Sequence, residues 1–243
     1  MDRDGTSHGV YETIRQYETM DNRTQRERDR SNGGYPPRAA LADAWDEHSR
    51  YVGFAASLFA VGIVVGIALM IAGYNLLEII QEVVGEPLFP DISDRSRLEL
   101  AQFLLVNNSR AFLLSILGVL TLGFLTAWAM VFNGIIVGNV GAFIAGSIGI
   151  GYILVGLLPH GIFELPALFI AAGVGFRLLY RVGQRLRGTR DAIVTKRYLY
   201  RTGLLVLAGW LLLVVAAVVE AFVTPALLEA LFADRLEAMG SSP

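Results

Sequence analysis

Apolar positions in this chain fall into runs too long for a soluble core. Tyr51 to Leu77 is 27 residues without a charge, and a helix needs about 20 to cross a bilayer. From Ala111 to Phe176 the only formally charged residue is Glu164 and the only histidine is His160. A last run, Thr202 to Val223, carries one charge, Glu220. These runs predict an all-α integral membrane bundle with about five transmembrane helices, near 51–74, 111–132, 135–158, 159–180 and 202–223.

Two boundaries follow from local chemistry. Asn133-Gly134 is a turn dipeptide, so the second and third spans are expected to form a tight antiparallel pair around it. The third span is Gly-rich, with Gly134-xxx-Gly138 among its small-residue contacts, and is expected at the bundle centre. Ala167 to Tyr180 is only 14 residues, about 21 Å of helix. The fourth span must therefore include Pro159 to Pro166, or the chain there enters the bilayer in non-helical form.

The flanking segments are polar. Residues 1–37 carry the charge run 23–30 and end in Pro36-Pro37; they read as a disordered tail. Arg38 to Arg50 fits either a short interfacial helix or the first turns of the first span. Between 75 and 102 the apolar positions Leu76, Leu77, Ile79, Ile80, Val83 and Val84 keep a helical period, and a second short amphipathic helix is expected after Pro90 and Asp94. Pro225 is expected to bend or stop the last span, leaving 229–243 as a short tail, so that the transmembrane domain is 38–228.

Charge then gives orientation. The 177–201 loop holds eight basic residues, and the 75–102 loop is acidic. Positively charged loops stay inside, and both loops then agree: the N-terminus is inside and the C-terminus outside. The Arg177, Arg181, Arg185 stripe reads as a topology signal compatible with anionic-lipid binding. There is no cysteine, which excludes disulfides, thiolate metal sites and a cysteine nucleophile. No cleavable signal precedes the first apolar run.

The candidate chemistry sits in the charge-poor block. His160 and Glu164 are four apart and share a helix face. Pro159, Gly161 and Pro166 favour an irregular backbone around them. Ionisable residues inside a membrane are costly and mark functional sites by default. Counted from the basic loop, Glu164 lies about 19 Å and Glu220 about 28 Å towards the outer face. Asn108 and Arg110 begin the second span on that face, so Asn108, Arg110, His160, Glu164 and Glu220 are expected to converge. The cluster can be structural, with Glu164 protonated or paired to Arg110, or it can pass ions or a small solute. A metal is not expected, because an i, i+4 pair supplies two ligands and no third histidine is near in sequence. Hydrolysis is not expected, because no second catalytic carboxylate or nucleophile lies in the same apolar block.

Asn107-Asn108, Phe132-Asn133-Gly134 with Gly138 and Asn139, Leu158-Pro159-His160-Gly161-Ile162-Phe163-Glu164-Leu165-Pro166 and Glu220 together resemble the stage II sporulation protein M family. The Pro-His-Gly-x-x-Glu-Leu-Pro run carries most of the likeness, which covers roughly Asn107 to Thr224. The resemblance implies a multispanning helical membrane protein without established catalytic activity. In spore-formers the family member works with two partners, one a peptidoglycan-degrading enzyme, in septal wall thinning and engulfment. The expectation is thus a plasma-membrane, multi-pass, non-enzymatic scaffold for an envelope-acting complex, with no cofactor and no nucleic-acid partner. Its partners would be the bilayer and a membrane or envelope protein, and the Gly-rich spans are compatible with a homo-oligomer. The alternative is a channel or permease component using the His160–Glu164 site.

Overall fold

The structure, a computed structural model, describes residues 36–84 and 96–240. Among the described residues, seven α-helices run in order: α1 (Pro37–Ile71), α2 (Leu76–Val84), α3 (Arg97–Leu117), α4 (Phe124–Ser147), α5 (Ile150–Leu186), α6 (Lys196–Val218) and α7 (Thr224–Gly240). A 3-10 turn, Gly118–Thr121, extends α3, and a π-helical turn, Val219–Val223, joins α6 to α7. No strand occurs among the described residues. Among the described residues, five helical stretches are long and apolar enough to cross a membrane: Pro37–Ile71, Arg97–Thr121, Phe124–Ser147, Ile150–Leu186 and Lys196–Ala233.

The number of spans agrees with the sequence pattern, but several boundaries do not. Asn133-Gly134 is no turn; it lies in the middle of α4. The Asn133 amide donates to the Ala129 carbonyl one turn back, 2.8 Å away, so its polar group is satisfied inside the helix. The real reversals are at Leu122-Gly123 (φ 53° and 79°) and at Gly149 (φ 117°), where left-handed or otherwise glycine-favouring backbone ends the helices. The second span therefore starts at Arg97, capped by Ser96 and Glu99 in a reciprocal box. The apolar positions Leu98 to Leu105 belong to that span and not to a separate helix. Pro90, Asp94 and residues 1–35 lie outside the described residues.

The Pro159–Pro166 stretch is not broken either. The α5 backbone stays helical through both prolines, although each ring removes the N–H that would bond four residues back. The segment 38–50 is the start of α1, continuous with the first span. The chain also continues helical past Pro225, into α7, which is kinked at Phe232 (φ -135°, ψ 19°). Pro225 has no N–H for the Ala221 carbonyl, and the helix widens just before it: the Thr224 N–H bonds the Val219 carbonyl, five residues back.

Packing follows small residues. Along α1 the buried positions Ala40, Ala44, His48, Ala55, Phe59, Gly62 and Gly66 form one face. Against it lie Gly134 and Gly138 of α4. A Cβ at Gly62 would meet the Val131 carbonyl, one at Gly66 the Ile135 carbonyl, one at Gly134 the Phe59 carbonyl and one at Gly138 the Ile63 carbonyl. The two backbones touch, as small residues permit in lipid, where fit and not water exclusion drives association. A long buried run lies in α5: Ala167, Leu168 and every residue from Ile170 to Phe176 are buried. Phe112 of α3 and Leu213 of α6 pack on its Ala167, Leu168 and Ala171.

Two polar devices fasten this bundle. Asn139 is fully buried and donates to the carbonyls of Gly66 (3.2 Å) and Tyr74 (2.9 Å), while its oxygen accepts from the Leu76 N–H (2.9 Å). One side chain thus fixes the end of α1 and the turn into α2. At the opposite end of α1, Glu47 accepts from Arg177 (2.7 Å) and Arg181 (2.9 Å) of α5. Arg201 of α6 comes within 3.7 Å of Asp43 and 4.0 Å of Glu47. Arg181 also lies over the Tyr198 ring, 3.7 Å from its centre, and donates to the Ile193 carbonyl at 2.7 Å. Two of the three arginines of the stripe therefore bind α1 of the same chain.

Both devices give measurable expectations. Asn139→Leu strands two carbonyls and an N–H, each buried polar group costing about 1–3 kcal/mol when unmet; thermal unfolding of the purified protein should shift down by several degrees. Glu47→Gln leaves Arg177, Arg181 and Arg201 facing one another and should cost roughly 2–3 kcal/mol, between the limits for exposed and buried pairs. An unchanged unfolding midpoint in Glu47→Gln would show that the clasp contributes nothing.

Candidate functional site

At the far end of α5 from the clasp, one helix turn carries His160 and Glu164 on the same face. Glu220 approaches from the π-helical turn that follows α6. One ligating atom from each of the three side chains lies within 4.8 Å of the other two. His160 is buried at 8% exposure, and Glu164 and Glu220 are half-buried. The His160 Nδ1 lies 3.5 Å from the Thr224 hydroxyl, which itself reaches the Val219 carbonyl at 3.4 Å.

Counting residues from the basic loop separates Glu164 and Glu220 in depth by about 9 Å, yet the structure brings them together. The cause is the direction of side chains on antiparallel helices. Each Cα–Cβ bond tilts towards its own helix N-terminus. Glu164 therefore leans along α5 away from the clasp, and Glu220 leans along α6 towards it. The two side chains close from opposite directions. The π turn adds one residue to the register just at Glu220, as such turns often do beside functional sites.

Two of the five residues expected here are placed differently. Asn108 and Arg110 do not start a span; they lie in the middle of α3. Arg110 is exposed, and the ion pairs among the described residues do not join it to Glu164. The expected Arg110 pairing is thus absent, and the nearest acidic partner of Glu164 is a second carboxylate. Ser109 between them is the residue that contacts another helix, accepting from the Trp210 indole at 3.0 Å. Pro159 and Gly161 flank His160 within the continuous helix, and Pro166 sits half a turn beyond Glu164.

Sequence reasoning passed over Thr224, whose hydroxyl faces His160, and the cluster at the opposite end of the bundle. There, His48 is fully buried, bonded at Nδ1 to the Ala44 carbonyl (2.7 Å) and stacked on Tyr198 with ring centres 5.9 Å apart. A signal for the clasp was present. Asp43 and Glu47 form an acidic i, i+4 stripe matching the basic one, but pairing them requires knowing which helices touch. Beside the clasp a cavity of about 600 Å³ is lined in part by Arg50, Tyr51, Phe54, Phe176, Tyr180 and Arg187. It holds Arg50 over the Tyr51 and Tyr180 rings and no carboxylate lines it.

The cluster can do two kinds of chemistry. Its carboxylates can share and exchange a proton, since two like charges at this range in a low-dielectric setting resist simultaneous ionisation. Its three ligating atoms can also surround a cation. The second carboxylate is Glu220, which the sequence had already placed among the polar residues expected to converge here.

Comparison with known proteins places this geometry in a lineage. An uncharacterized protein of Methanocaldococcus jannaschii is 35% identical over 127 residues, an alignment covering 50% of this chain and 69% of that protein. No solved structure gives a significant match. Residues 55–225 match the family described as Stage II sporulation protein M, a stretch that includes Gly62, Asn139, His160, Glu164 and Glu220. With five membrane-length helices and that match, the chain is a multi-pass membrane protein that belongs to the stage II sporulation protein M family.

Proposed function

We propose that the protein is a non-enzymatic scaffold of the plasma membrane that holds an envelope-acting partner at its outer surface. The observation that carries the reading is the packing of α1 against α4 and of the other helices around α5 at backbone distance. Such contacts suit a fixed platform better than halves that rock against each other. Family membership supports the same class.

Orientation is part of the proposal. The segment between α5 and α6 carries Arg187 and Arg190, α6 opens on Lys196 and Arg197, and this end of the bundle lies inside by the positive-inside rule. Counting the observed helices then puts the N-terminus and the Leu122-Gly123 reversal inside. The α1–α3 connection, Gly149 and α7 are outside. Residue 160 lies ten residues along α5 from Ile150, about 15 Å below its outer end. The amphipathic α2, with Glu78 in its first turn, is then the outward-facing element closest to any extracellular partner.

The second reading is passage of an ion or small solute, favoured by one observation: two carboxylates and a histidine share a site within membrane-length helices. Such residues commonly line ion or proton routes.

Two experiments separate these. Deleting residues 78–95 removes α2 and the following connection but leaves the Ser96 cap of α3. In the scaffold reading this protein still folds, and cross-linking in native membranes no longer recovers a wall-degrading enzyme. Recovery at wild-type level would remove α2 from that role. Glu164→Gln tests the other reading. Proteoliposome flux that falls at least ~10-fold in the mutant supports passage through the site, whereas equal flux in wild type and mutant rules it out.

A further inference from the structure

Two glutamates at one point between α5 and α6 raise a charge problem that neither proposed role addresses. No basic residue is paired with them among the described residues, and the nearest candidate from the sequence, Arg110, points to an exposed position on α3. Lipid-embedded carboxylates need either a proton or a counter-charge.

We propose that His160, Glu164 and Glu220 form a three-ligand site for a divalent transition-metal ion of the zinc class, held between α5 and α6. This goes beyond the scaffold reading and does not depend on it.

Three observations carry the assignment. First, the ligating atoms of three residues from two helices already lie within 4.8 Å of one another. Bonds of about 2.0–2.2 Å to zinc place tetrahedral ligands about 3.4 Å apart. Small rotations of the two long glutamate side chains close that difference. Secondly, charge balances. Two carboxylates, a neutral imidazole and a divalent ion sum to zero, so the occupied site needs no counter-charge from elsewhere. Thirdly, the histidine is held from behind. The Thr224 hydroxyl, whose own contact is the Val219 carbonyl, faces Nδ1. A partner on one ring nitrogen orients the other for a metal, the usual arrangement around ligating histidines.

The donor set also narrows the ion. One imidazole with two carboxylates suits zinc, cobalt or manganese better than calcium, which takes six to eight oxygens. Three protein ligands leave a fourth position open, as in sites that bind water or a further group. The sequence argument against a metal counted only His160 and Glu164. Glu220 is 56 residues away from Glu164 in the chain, and only the α5–α6 packing supplies it.

The test uses the full chain purified in detergent, stripped with a chelator and titrated with Co2+ alone. Expected are about one Co2+ per chain by elemental analysis, visible absorption bands of tetrahedral cobalt and loss of those bands on adding Zn2+. Glu220→Gln should weaken binding more than about 100-fold, Thr224→Val about 10-fold, and the exposed Glu229→Gln should leave it unchanged. Wild-type protein that elutes as a single helical species yet binds no cobalt overturns the proposal. So does a spectrum that is identical in wild type and Glu220→Gln. If Glu220→Gln does not fold, Thr224→Val decides: binding equal to wild type there rejects the site as drawn.

Discussion

Helices in a bilayer gain nothing from leaving water a second time, so their association rests on how closely surfaces fit. That constraint explains the main features of this bundle. Gly62, Gly66, Gly134 and Gly138 let α1 and α4 meet at carbonyl distance. Gly173 lies against the Val52 backbone of α1, and Gly175 against the Ser115 carbonyl of α3. A side chain at any of these points would push two helices apart. The Ala- and Gly-rich middle of α5 is therefore the hub, and its two ends inherit fixed neighbours from it.

Those ends handle charge in different ways. At one, Arg177 and Arg181 find Glu47 on α1, and Arg201 from α6 joins them through Asp43. Four arginines, Arg177, Arg181, Arg197 and Arg201, share two carboxylates there, Asp43 and Glu47, so every carboxylate of the clasp has a cationic partner. At the other, Glu164 and Glu220 face each other with a histidine and a hydroxyl. Like charges predominate there, and no ion pair among the described residues joins either glutamate to a basic side chain.

The sequence made the helical class and the number of spans legible because charge-free runs of this length have one stable outcome in lipid. It also singled out His160, Glu164 and Glu220, since an ionisable residue in an apolar block is rare enough to see without a structure. Boundaries were harder. Asn133-Gly134 has the composition of a turn, but in α4 its glycine serves helix contact and its asparagine bonds back to Ala129. Pro159 and Pro166 have the composition of a break, yet α5 runs through both. In each case the same residue has a local and a tertiary use, and only packing decides between them. Glu220 was expected to converge on Glu164, although the depth estimate, which followed the backbone and ignored where side chains point, left about 9 Å between them. The clasp was missed for a related reason: the two stripes were visible separately, but not their pairing.

The account rests on α5 and α6 meeting in the register that puts Glu164 beside Glu220. The chain has no cysteine, so a pair can be introduced without background. Glu164→Cys with Glu220→Cys should cross-link in native membranes with a short bifunctional thiol reagent, as should a reference pair at Ser109 and Trp210, whose side chains already touch. Efficient cross-linking of 164 to 220 is the predicted result. If both cysteines react with a monofunctional reagent and the reference pair cross-links, but 164 and 220 do not, the shared site does not exist.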